Sequence, residues 1–169
     1  PEGSDTLLDM GSGPGYPGLP LHACSNVSAT LLDSVSKKMN VVSAIADALL
    51  VSDITCVSDR LETYAKDKAG QFDVVTARAL ASLPVLIEYA RPFLKMGGTL
   101  LVSKGLPDES EVSSGLKACS ICGFKLVDCQ EFDLPHDLGH RVILSFKVVS
   151  KSKVKLPRQN GLARKAPLA

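Results

Sequence analysis

Four glycines fall within eight residues, at Gly11, Gly13, Gly15 and Gly18, directly after the apolar run Thr6-Leu7-Leu8-Asp9-Met10. Glycine lets a backbone turn sharply and approach a ligand where a side chain would clash. A tight turn needing positive φ accounts for one or two of them. Four in eight residues point to a bound ligand, gripped through backbone groups at the end of a strand.

The neighbours narrow the choice of ligand. A dinucleotide fingerprint requires its third glycine at position 16, where this chain carries Tyr16. Pro14 and Pro17 remove N–H donors that a pyrophosphate would use at a helix start. No Gly-Lys-Ser/Thr closes the loop, so it is not a Walker sequence. An acid at a strand end followed by Gly-x-Gly-x-Gly is the pattern that suits S-adenosylmethionine. Asp33 lies 22 residues past Gly11 and ends the next apolar run, Ala29-Thr30-Leu31-Leu32. A carboxylate there can accept two ribose hydroxyls, which holds for nicotinamide dinucleotides as well. Asp33 therefore supports a nucleoside without separating the two ligands.

Other chemistry is sparse. The three histidines are scattered and no serine elbow occurs, so no nucleophile–base pair and no metal site are expected. Of the five cysteines, Cys119 and Cys122 have redox or zinc spacing, but no second pair follows. Their place in an amphipathic stretch just before Gly123 predicts buried structural thiols.

The elements that must position the loop alternate between strand and helix periods. Strands are expected at 6–10, 29–33, 54–57, 72–76 and 99–103, and helices at 36–50, 83–94 and 108–122. Gly97-Gly98 is expected to turn the fourth of these units into its strand. Two final strands, 124–132 and 141–149, have no helix between them, and Pro135, Asp137 and Gly139 supply a turn. The expectation is an α/β fold, a doubly wound, mostly parallel sheet closed by a C-terminal antiparallel hairpin.

Length and charge set the frame. At 169 residues, 45% hydrophobic and 22% charged, the chain is an ordinary globular domain with no apolar run long enough for a membrane span. It opens on Pro1 rather than Met, with no basic-then-apolar leader, as a trimmed or partial chain does. The net charge is +1, but residues 147–169 hold seven cations and no acid, leaving 12 basic against 18 acidic residues elsewhere. Residues 1–149 are read as the ligand-binding domain and 150–169 as a basic tail. Such asymmetry suggests a polyanion-binding end, with Arg158, Arg164 and Lys165 as phosphate contacts alongside Lys104 and Arg141 of the body. Lying far from the loop in sequence, the tail is expected to leave cofactor binding alone.

Several segments together resemble one family. Asp9 to Gly18, Leu31-Leu32-Asp33-Ser34, Thr76-Ala77-Arg78-Ala79 with Ala81-Ser82-Leu83, and Ser103-Lys104-Gly105 resemble the bacterial small-subunit ribosomal RNA methyltransferase G family, also called glucose-inhibited division protein B. The Pro157-Arg158 and Lys165-Ala166-Pro167-Leu168 pieces are similar to its basic ending. The resemblance implies a class I, Rossmann-like methyltransferase that moves a methyl group from S-adenosylmethionine to N7 of a guanine in 16S rRNA. It implies cofactor contacts at Gly11, Tyr16, the pair Leu61-Glu62 and Arg78, beside the Gly13, Gly15 and Asp33 read above. Tyr16 stands where the family usually has Phe or Leu. Its partners would be 16S rRNA or the small ribosomal subunit, with no membrane, as a cytoplasmic monomer. The family's helical N-terminal segment, with its Trp-Asn motif, has no counterpart in the eight residues before Asp9.

N7 of guanine carries an exposed lone pair and no proton, so its methylation requires placement rather than a base. Two other readings remain beside this one. A nicotinamide-dependent oxidoreductase on a similar sheet is opposed by Tyr16 and the two prolines. A non-catalytic RNA-binding module on the same fold is opposed by the intact loop.

Overall fold

The structure, a computed structural model, describes residues 5–169. The chain runs β1 (Thr6–Met10), α1 (Gly18–Ser25), β2 (Ser28–Asp33), α2 (Ser36–Ala48), β3 (Ile54–Ser58), α3 (Leu61–Asp67) and β4 (Phe72–Arg78). It continues through α4 (Leu83–Ala90), β5 (Leu94–Lys104), α5 (Glu109–Cys122), β6 (Phe124–Asp133), β7 (His140–Val148) and a final turn of helix, α6 (Leu162–Lys165). The strands form one sheet in the order β3-β2-β1-β4-β5-β7-β6. Strands β1 to β5 are parallel, and β7 enters antiparallel between β5 and β6. The order reverses between β1 and β4, so the loops leaving those strands diverge and open a crevice at their carboxyl ends. The doubly wound sheet with its terminal hairpin is the architecture that the alternating periods predict.

Buried apolar residues explain the layers. Leu7, Leu8 and Met10 of β1 and Val75 and Ala77 of β4 are almost fully enclosed between helices on both faces. Every residue of α4 is buried, including Glu88. Helix α5 begins at Asp108, whose carboxylate accepts the Glu111 N–H at 2.8 Å, and stops at Gly123 with φ of 83°.

Three local expectations are corrected. Helix α4 ends at Ala90 rather than near 94, because Pro92 has no N–H to continue the ladder. Gly97-Gly98 does not separate helix from strand but lies inside β5. There Leu94 pairs with Phe72, Thr99 pairs with Val74, and the residues between bulge outward. On α2 the apolar residues Met39, Val42, Ile45, Ala46 and Leu49 keep a helical period that would bury them all, yet only Met39, Val42 and Ala46 are buried, and Ile45 and Leu49 stay 43% and 66% exposed. That helix lies over β2 and β3 at the edge of the sheet, where only half of its apolar face is covered.

The C-terminal segment is folded onto the domain rather than free of it. The Lys153 N–H donates to the Ile121 carbonyl on α5 at 2.8 Å, and Leu156 and Leu168 pack on the main core. Among the described residues no helix is long and apolar enough to cross a membrane.

Candidate active site

The site is built around Asp9, whose side chain is fully buried. Its Oδ1 accepts from the Thr76 hydroxyl at 2.8 Å and its Oδ2 from the Gly18 N–H at 2.9 Å. One carboxylate thus ties β1 to β4 and to the first residue of α1. Burial pushes its pKa from the ordinary 3.8 up to about 6, against the opposing pull of Thr76, Gly18 and the Arg78 charge. The folded state then holds a proton between about pH 4 and 6 that the unfolded chain has released. Stability from this group therefore falls as pH rises through that window, by roughly 3 kcal/mol in all. Asp9→Asn keeps both contacts if its oxygen faces Gly18 and its amide faces Thr76, and it cannot ionise. Relative to wild type it should gain stability progressively from pH 4 to 7 in urea unfolding. A pH-independent difference would refute the assignment.

The glycine loop is stapled to the end of β2. The N–H groups of Gly11 and Ser12 donate to the Leu32 carbonyl at 2.8 and 3.1 Å, and the Gly13 N–H donates to Asp33 Oδ2 at 3.0 Å. Gly11 has φ of 68°, and a Cβ there would meet Leu80 Cδ1 at 2.6 Å. The second oxygen of Asp33 accepts the Val35 N–H at 2.9 Å. Each carboxylate oxygen has a further lone pair.

Against this loop opens a cavity of about 680 Å³ at the carboxyl ends of β1, β2 and β3. Its walls include Gly11, Asp33, Leu61 and Glu62, as expected, and also Leu80, Tyr89, Gly161 and Arg164. A second cleft of about 430 Å³ lies over the ends of β4 and β5 and the start of β7, lined by Arg78, Ser103, Lys104, Glu111 and Arg141. Lys104 is paired with Glu111, which also accepts the Leu83 N–H at 2.8 Å. Tyr16, on the glycine loop, is 53% exposed, and the Arg78 guanidinium lies 5.9 Å from its ring centroid. The expected cofactor residues are therefore divided. Gly11, Asp33, Leu61 and Glu62 line the first cavity, while Gly13 and Gly15 shape the loop behind it. Arg78 lines the second cleft.

Comparison with known proteins resolves the family. The rRNA small subunit methyltransferase G family model matches residues 1–138. This chain belongs to that family. Ribosomal RNA small subunit methyltransferase G of Geobacillus kaustophilus is 36% identical over 165 residues, covering 96% of this chain and 69% of that protein. The same-named protein of Lactobacillus acidophilus is 36% identical over 166 residues, with the same coverage. Among solved structures, geranyl diphosphate C-methyltransferase of Streptomyces coelicolor, crystallised with S-adenosyl-L-homocysteine, superposes with a TM-score of 0.68 at 14% identity, over 88% of this chain and 75% of that one. The YcgJ protein of Bacillus subtilis gives 0.69 at 12% identity, over 88% and 94%. The chain is an S-adenosylmethionine-dependent methyltransferase of Rossmann-like fold.

The residues present fit that cofactor. The volume of the cavity suits a nucleoside-sized ligand. A Cβ at Gly11 would have to displace the Leu80 side chain, and Asp33 offers paired acceptors to a ribose. When bound, S-adenosylmethionine supplies an activated methyl group on a sulfonium. The two close cysteines of the methyltransferase are inert: Cys119 and Cys122 are buried on α5, and burial pushes both thiols up to about 12. Among the described residues no cluster could hold a metal ion.

Three of the expected RNA contacts fall in the folded tail. Arg158 Nε and Nη2 form a fork on the Glu88 carboxylate, both at 2.6 Å, and this guanidinium is committed within the fold. Arg164 Nη2 donates to the Leu80 carbonyl at 2.9 Å, and Lys165 is exposed on α6. Sequence reasoning missed Leu80, Tyr89 and Gly161 as cavity walls. Tyr89 reads only as one more apolar position of α4, and Gly161 reaches the cavity by tertiary contact alone.

Proposed function

We propose that this methyltransferase acts on N7 of a guanine in 16S rRNA, with the cofactor in the first cavity and the guanine nucleotide in the second cleft. The observation that carries this reading is the junction of the two hollows. Both open at the carboxyl ends of the strands, the first beside β1, β2 and β3 and the second over β4 and β5, and Arg78 of the second lies 5.9 Å from the ring of Tyr16 on the glycine loop. Arg141 brings a cation to the cleft, suited to the phosphates that flank an unpaired or flipped nucleotide, whereas Lys104 is paired there with Glu111. The histidines lie elsewhere, which suits a transfer that removes no proton. His22 Nδ1 is bonded to the Val27 carbonyl at 2.6 Å and His140 Nδ1 to Asp133 at 2.9 Å, while His136 sits in the hairpin turn. Small subunits mature in the cytoplasm, and the enzyme is read as acting there.

The test pairs activity with binding. Methyl transfer to deproteinised and ribosome-bound 16S rRNA, followed by mapping of the modified base, should place one methyl on a guanine N7. In the Arg141→Ala variant the slope of log K for RNA against log salt should flatten by about 0.7–0.9, the effect of one phosphate contact. Its affinity for S-adenosylmethionine should match wild type. Identical slopes would remove Arg141 from the interface, and a methyl on another atom would end the N7 reading.

A further inference from the structure

The seven cations at the end of the chain read as an arm for RNA, yet the fold puts this segment somewhere else. After β7 the chain passes α5, where Lys153 is bonded to Ile121, and crosses α4, where the Arg158 fork holds Glu88. It then reaches α3. There the Gly161 N–H donates to Glu62 Oε1 at 2.7 Å, and the Asn160 amide donates to the Thr63 hydroxyl at 3.2 Å. Ala163 of α6 is only 2% exposed, so the segment is packed down and not merely draped. Arg158 also closes the segment on itself through the Ala166 carbonyl at 2.8 Å.

The consequence lies in the first cavity. Gly161 and Arg164 are two of its walls, facing Gly11 and Asp33 of the opposite end of the chain. Arg164 holds the backbone of Leu80, and the Leu80 side chain covers Gly11. Glu62, 8% exposed, has one oxygen oriented by Gly161. We propose that residues 156–166 are an integral wall of the cofactor cavity, in which Arg164 contacts the nucleoside end of the ligand and Arg158, through Glu88, is a positioning residue for that wall. The nucleoside end follows from the neighbours. The segment meets α3, directly after β3, and β3 pairs with the strand that carries Asp33. The second cleft, where the methyl group must be delivered, lies over β4 and β5. This inference rests on the reading of the first cavity as the cofactor site.

Arg164 is an exposed residue, so Arg164→Ala removes no buried packing. Calorimetry on the full chain with S-adenosylhomocysteine and with 5′-methylthioadenosine, which lacks the amino-acid end, should show both weakened by about tenfold, as for loss of one bond to a charged group. The melting temperature should stay within about 3 °C of wild type. The salt slope for a 16S rRNA fragment should be unchanged. Arg158→Lys keeps the charge and gives up the fork. It should raise KM for S-adenosylmethionine severalfold with kcat at saturation intact, the signature of a change in binding alone. Asp33→Ala serves as the control for the cavity itself. Unchanged ligand affinity in Arg164→Ala, with Asp33→Ala weakened, overturns the wall and spares the cavity. Wild-type affinity in both variants overturns the cavity reading. A flattened RNA slope with normal ligand affinity returns the segment to an RNA arm, and a loss confined to S-adenosylhomocysteine overturns its placement at the nucleoside end.

Discussion

Gly13→Val should abolish S-adenosylmethionine binding, with a loss of at least about 100-fold, while far-UV circular dichroism stays that of wild type. A side chain intruding on the ligand is the reason that the glycine spacing suggests. The structure adds a second one. A Cβ at position 13 meets no protein atom nearer than the Gly11 carbonyl oxygen at 3.9 Å, so no neighbour within the fold resists it. The backbone does. Gly13 has φ of 57°, a left-handed conformation that a β-branched residue adopts only under strain. Relief of that strain swings the N–H away from Asp33 Oδ2, which leaves the carboxylate held only by the Val35 N–H on its other oxygen. The loop and the orientation of the ribose acceptor are then disturbed together, which is why one substitution has so large an effect. Gly13→Ala, with a smaller strain, should fall between the two. Wild-type affinity in the valine variant, measured by calorimetry, would show that this loop does not hold the cofactor.

Arg158→Ala should lower stability by about 3–5 kcal/mol, the usual result of leaving one member of an enclosed ion pair unpaired. Glu88 has only 3% of its side chain exposed and loses both bonds of the guanidinium fork. Arg158 itself is 20% exposed, so the value should lie toward the lower end of that range. Replacing both residues by apolar ones, in Glu88→Leu with Arg158→Met, should restore most of the loss, because no charge is then stranded among Leu86, Ile87 and Ala90. Urea unfolding of the two single variants and the double variant measures the coupling directly. A loss below about 1 kcal/mol in Arg158→Ala would mean that the tail is not latched by this pair.

Much of the enzyme is written locally in its sequence. Asp9, the glycine loop and Asp33 announce themselves because each belongs to a short strand-turn-helix unit whose side-chain types are dictated by backbone geometry and a ligand at the strand end. The alternation of period 2 and period 3.6 predicts the parallel sheet, and the missing helix between β6 and β7 predicts the hairpin. Where only local signals were available, small errors followed. The Gly97-Gly98 pair reads as a turn in either setting, and only the pairing of Leu94 with Phe72 shows that the strand has already begun.

The tail was decided by tertiary structure. Seven cations with no acid among them look like a polyanion-binding end, because the carboxylate that pairs with Arg158 lies 70 residues away at Glu88, and Glu62, which accepts the Gly161 N–H, lies 99 residues from that glycine. One trace of this was visible. Glu88 is the lone acid in the apolar run of α4, and a carboxylate carried into a core by its helix requires a partner from somewhere. Sequence determines which residues share a face of an element, since that depends on neighbours three or four positions apart. Which distant cation reaches a buried carboxylate, and so whether a basic segment faces RNA or walls a cavity, depends on the burial that exists only once the chain has folded.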